Sequence, residues 1–271
     1  MKRFERFANE HPVTFGLVCI VIYILMLIIS AILGNLWPGE EIYGQPGNML
    51  GRLISIAILL VLLSHLGWLR STGLTALGKL GIWVISVLLL AYSVAGYMVV
   101  LTGNFGFSIS APSVLVTSFI LAQSFMEEIV FRGLILRALV RAWGSTRIGI
   151  NKSILVSALF FCSIHVLDFL SGRPLSAVLL QSLEAFFLGI ALGALVLSGK
   201  SIYPAAFFHS ILNLGAYLIF AYRGLEPSSA SWLLLSLVMV PPAIFGLYLL
   251  NMSYHSIADK QPTRNIKEAL R

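Results

Sequence analysis

Charge is what this chain has least of. Only 11% of its 271 residues are Asp, Glu, Lys or Arg, against 58% that are hydrophobic. A water-soluble domain carries about 25% charged residues, so that class is excluded. Aspartate is nearly absent: Asp168 and Asp259 are the two in the chain, both at or beyond the ends of apolar runs. A membrane-embedded aspartyl dyad therefore has no members. Cysteine is limited to Cys19 and Cys162, far apart and without metal-type spacing, which excludes a disulfide framework and a cysteine metal centre. No H-E-x-x-H zinc helix and no G-x-S-x-G serine elbow occur, which removes two further hydrolytic chemistries. Internal repeats and low-complexity segments are missing as well.

Long apolar runs are abundant. Eight are long enough to cross a ~30 Å hydrocarbon core, at about 13–34, 50–69, 80–102, 110–136, 152–168, 175–198, 202–222 and 230–252. They do not alternate apolar with polar residues, so a transmembrane barrel is excluded. The sequence predicts an all-α, polytopic membrane helix bundle of about eight spans, with residues 1–271 forming one integral membrane domain. "NLWPGEEIYGQPGN" (35–48), "RSTGLTALGK" (70–79) and "YRGLEPSS" (222–229) separate the runs with turn chemistry. The basic start "MKRFERF" precedes an apolar run of about twenty residues, too long for a typical signal core and without a clean A-x-A site. It is expected to be retained as the first span.

The formal charge of +7 is a matter of topology rather than a nucleic-acid surface. With the N-terminus cytoplasmic, fourteen Lys and Arg fall on the cytoplasmic side. Arg52, Arg173 and Arg223 fall on the other, and Arg132 stays within the membrane. The positive-inside rule then predicts both termini in the cytoplasm.

Against this background the polar residues inside the spans stand out. An isolated charge in hydrocarbon costs at least ~2.5–3.5 kcal/mol, so intramembrane ionisable groups face the bundle interior and mark function by default. The fourth span has Gln123 and, in "SFMEEIVFRG", Glu127, Glu128 and Arg132; the fifth has His165; the sixth has Gln181 and Glu184; the seventh has His209 and Asn213. Glu128 and Arg132 are four residues apart and stack on one helix face, as do His209 and Asn213. Glu127 points about 100° away from Glu128, so one carboxylate is expected to pair with Arg132 and the other to be free for chemistry. At 1.5 Å per residue, Glu127, His209, Asn213 and His165 lie roughly 14, 11, 17 and 20 Å from the cytoplasmic span ends, close enough to share one layer. Such a set can perform hydrolysis. A tuned carboxylate acts as general base on water, a histidine holds the water or shuttles the proton, and a second histidine with an amide donates to the oxyanion.

"EEIVFR" (127–132), "FCSIH" (161–165) and "HSILN" (209–213), in this order on successive hydrophobic segments, resemble the CAAX protease and bacteriocin-processing family. Its three motifs are E-E-x-x-x-R, F-x-x-x-H and H-x-x-x-N, and no motif position departs from them. The resemblance covers about 125–215, the expected catalytic core. It implies a glutamate-type intramembrane endopeptidase in which Glu127 and His165 activate water and His209 and Asn213 form the oxyanion hole. Glu128 and Arg132 would be supporting residues. It further implies a prenylated CAAX-type protein or peptide as substrate, cut after the modified cysteine, in a site open to the cytoplasm; in a prokaryote the membrane would be the plasma membrane. Partners are thus the lipid bilayer and that substrate, not nucleic acid.

Three rival readings remain at this point. Glu127, His165 and His209 supply one oxygen and two nitrogen ligands for zinc, but no two share a helix at i, i+4, and a cofactor-free site is expected. A proton-coupled transporter would also use Glu, His and Arg, yet matching Gly/Pro-broken helices are missing. A non-catalytic peptide-binding or bacteriocin-immunity protein would use the same cavity to hold rather than cut. Glu184, outside the motifs, is expected to hydrogen-bond Arg132 or a histidine from behind.

Overall fold

The helices begin and end where the sequence has caps. Proline at the first turn opens the segments starting at residues 12, 46 and 203, where its missing N–H costs nothing. Ser113 accepts the N–H of Val116 and Thr146 that of Gly149, each satisfying an otherwise orphaned donor. The computed structural model describes residues 2–39, 44–102, 113–218 and 228–260. Among them are nine helices: α1 (Lys2–Glu10), α2 (Pro12–Leu36), α3 (Pro46–His65), α4 (Leu80–Thr102), α5 (Val114–Trp143), α6 (Arg147–Ser171), α7 (Leu175–Gly199), α8 (Tyr203–Ala216) and α9 (Ser229–Lys260).

Seven of these, α2 to α7 and α9, are long and apolar enough to span a membrane, making this an integral, multi-pass membrane protein. The outer face of α2 carries Val13, Leu17, Val21, Leu25 and Ile32, all exposed. In water such a stripe would be an association site; against lipid it is the surface expected. Helix α8, with 14 residues, is the seventh apolar segment. The expected end of that span (219–222), the start of the fourth (110–112), the turn at 222–227 and the C-terminal residues 261–271 lie outside the described residues.

Several expected boundaries move, each for a local reason. Helix α5 does not stop at 136 but runs to Trp143, so Arg137 and Arg141 are helical rather than in a loop. Arg141 pairs with Glu5 and Asn9 of α1 and lies over the Trp68 ring, which ties the basic end of α5 to the N-terminal helix. Helix α6 starts at Arg147 rather than 152 because Thr146 caps it. Helix α3 starts at Pro46, which moves Arg52 from an expected loop-side position into a buried helical one. Gly47 and Gly51 explain how α3 is held. A Cβ at either would lie within 1.9 Å of the Leu33 carbonyl or 2.6 Å of Ser30, so only glycine lets α3 cross α2 this closely.

Candidate active site

The site grows out of the middle of α5. Glu127 sits 13 residues from the start of this helix and 16 from its end, roughly 20 and 24 Å along the axis. That is deeper than a span ending at 136 implies. From Ile129 to Leu136 the helix widens into a π-helical stretch, every residue of which is buried. Such widening shifts the register of the following side chains and leaves carbonyls to be satisfied from elsewhere. Ser157 of α6 accordingly donates to the Phe131 carbonyl at 2.9 Å.

The two carboxylates have different surroundings. Glu128 is wholly buried and its Oε1 lies 3.1 Å from Arg132 Nη1, an ion pair whose angle is not that of a hydrogen bond. Arg132 is held further by the Gly189 carbonyl at 3.4 Å and by the Phe161 ring, 4.5 Å from the guanidinium carbon. The pair therefore joins α5, α6 and α7. Glu127 forms no ion pair with a Lys or Arg among the described residues. Its Oε1 accepts from Tyr23 Oη at 2.8 Å and from Gln123 Nε2, and Gln123 also donates to the Tyr23 oxygen at 2.9 Å. Its Oε2 faces His209 Nε2 at 3.5 Å, too long for a hydrogen bond.

His209 stands between the carboxylates. Nδ1 lies 2.9 Å from Glu128 Oε1 while Nε2 faces Glu127. A ring with both N–H groups offers a donor to each. Phe161 is the spacer that aligns the histidines: its ring centre is 5.5 Å from both His165 and His209, nearly perpendicular to each. His165 is partly exposed, within electrostatic reach of Glu127 and His209. Arg173 bonds Asp168 at 3.1 Å and the Gln181 side-chain oxygen, which turns the Gln181 amide nitrogen to His165 Nδ1 at 3.4 Å. That leaves the other His165 nitrogen to carry the hydrogen. Asn213, one turn beyond His209, donates to Ser124 Oγ at 3.0 Å with one of its two N–H groups.

The structure thus brings Glu127, Glu128, Arg132 and His209 into direct contact, and sets His165 and Asn213 beside them. Glu184 is elsewhere engaged. It accepts from Tyr97 Oη at 2.6 Å rather than from Arg132 or a histidine, and reaches His209 only through its field. Tyr23, Ser124 and Tyr97 are the contacts that sequence reasoning missed, while Gln123, one of the polar residues of the fourth span, finds its partners in Glu127 and Tyr23. The available signal was a tyrosine hydroxyl within an apolar span, which needs a partner when buried. As for a metal, no three His, Cys, Asp or Glu side chains converge as a binding group among the described residues. Both His209 nitrogens already face carboxylates.

Residues 110–215 match the family model described as Rce1-like type II CAAX prenyl endopeptidase. This is the family that the three motifs resemble, and the matched segment contains all of them. No curated protein matches the chain. The family match supports peptide hydrolysis of the CAAX endopeptidase kind.

Proposed function

We propose that the chain is a glutamate-type intramembrane endopeptidase acting on a prenylated CAAX-type peptide. The observation that carries this reading is the division between the carboxylates: Glu128 is spent on Arg132, while Glu127 keeps Oε2 directed at the histidine. A water held by the His165 N–H donates to Oε2 and attacks the scissile carbonyl as Glu127 takes its proton. Negative charge on the carbonyl oxygen is met by His209 Nε2–H and the second Asn213 N–H. Glu127 then returns the proton to the departing amine. Tyr23 and Gln123 hold Oε1, so the carboxylate cannot rotate away between the two transfers. The topology argument favours access from the cytoplasm.

The test is cleavage of a quenched, farnesylated CAAX peptide by detergent-purified protein, with Glu127→Gln alongside and a strong chelator in parallel. The expected result is cleavage that the substitution lowers by about 100- to 10,000-fold, the span of a lost general base, and that chelation leaves unchanged. Loss on chelation with recovery on added zinc would move the site to metal chemistry. Binding without cleavage by well-folded protein would favour a peptide-holding role.

A further inference from the structure

Arg52 is a buried charge that this mechanism does not use. Arg52 lies on α3, which packs against both α2 and α5, and its relative exposure is 9%. Gly47 and Gly51 hold α3 against α2, and Arg52, one residue on, is turned toward α5, where its guanidinium carbon lies 5.2 Å from the Phe119 ring centre. Nε and Nη1 are buried with no hydrogen-bond partner among the described residues. Its electrostatic neighbours are Tyr23 and Glu127, the proposed base and the group that holds it. A guanidinium has five donors in a planar fork suited to a carboxylate. Here Nε and Nη1 face no acceptor among the described residues, and the guanidinium lies over a ring face.

Distance says what could complete it. Phe119 precedes Glu127 by eight residues on one helix, which is roughly 12 Å along its axis. Three residues of extended peptide reach roughly 10 Å. Between the two points α5 presents Gln123 and Ser124, and α8 presents Asn213 opposite Ser124. Beyond them Phe119 and Tyr217 form an apolar cluster with Met49 of α3. A short peptide bound with its scissile carbonyl at Glu127 and lying toward the start of α5 would end at Arg52.

We propose that Arg52 receives the free C-terminal carboxylate of the substrate, three residues beyond the bond that Glu127 attacks. This rests on the endopeptidase reading for the peptide's length, but binding tests it without turnover. A farnesylated CAAX peptide and its C-terminal amide are titrated against purified Glu127→Gln protein. The acid is expected to bind about 10- to 100-fold more tightly than the amide, the range of one hydrogen bond to a charged group. In Glu127→Gln/Arg52→Gln that preference should collapse to within about twofold, with Arg52→Lys retaining part of it. Equal binding of acid and amide while Arg52 is present, a comparison that needs no substitution at Arg52, overturns the proposal, as does a preference that survives Arg52→Gln. Cleavage by the unsubstituted protein is read separately. Acid preference without cleavage supports the carboxylate site and refutes the endopeptidase; equally efficient cleavage of both peptides does the reverse.

Discussion

Tyr23 offers the sharpest perturbation of the proposed base, because its hydroxyl can be removed without changing the volume it fills. The phenol donates to Glu127 Oε1 at 2.8 Å, and the ring packs edge-on against Phe131 at 5.7 Å. Tyr23→Phe keeps the ring contact and deletes one hydrogen bond to a carboxylate, a loss of about 1.5–3 kcal/mol. If that bond aligns Glu127 in the transition state, at 1.36 kcal/mol per tenfold the turnover number should fall by about 10- to 100-fold. KM should move little, since Tyr23 is not proposed to touch substrate. Gln123→Ala removes the second donor to the same oxygen, and Gln123 also bonds the Tyr23 hydroxyl. The two losses are therefore expected to be non-additive, with the double variant less than the product of the singles. Steady-state cleavage of the farnesylated peptide and thermal unfolding in the same detergent give both quantities. A turnover number within twofold of the unsubstituted protein, with the fold intact, would refute the claim that Tyr23 holds the base.

Three other variants separate structure from chemistry. Glu128→Gln strands the Arg132 guanidinium away from water and should destabilise the fold by about 3–5 kcal/mol, seen as a lower midpoint of thermal unfolding. Replacing both partners, Glu128→Leu with Arg132→Met, should recover most of that stability but not activity, because His209 Nδ1 has lost its partner; recovered cleavage would remove Glu128 from the mechanism. Asn213→Ala should lower the turnover number by about 100- to 1,000-fold, the cost of one oxyanion donor, and an unchanged rate would take it out of the oxyanion hole.

The motif residues were legible because helical spacing is a strong constraint: four residues bring Glu128 to Arg132, and the ion pair follows. The shared contact with His209 was not. Adjacent carboxylates diverge by about 100°, which suggests separate partners, yet an imidazole is polar on two sides and spans the gap. Tyr23 and Tyr97 escaped for another reason. Their carboxylate partners lie 104 and 87 residues away in sequence, and neither tyrosine interrupts the apolar run that contains it. Arg52 was misplaced by a boundary. Drawing the span from residue 50 put the arginine at its very end, counted with the non-cytoplasmic charges, whereas Pro46 followed by Gly47 and Gly51 is the signature of a helix start with a close crossing.

The layout of charge explains why this chemistry is tolerable so deep in the protein. Glu128 and Arg132 cancel one another, so the cluster's exposed chemistry reduces to one carboxylate and the two rings set around Phe161. The Phe161 face also covers Arg132, so one aromatic side chain both shields the structural charge and spaces the histidines. A phenylalanine in the second motif is thus part of the site's electrostatics rather than filler. On the same logic, Arg52, a buried guanidinium with two nitrogens that have no hydrogen-bond partner among the described residues, is the place where an anion from outside the chain would gain most.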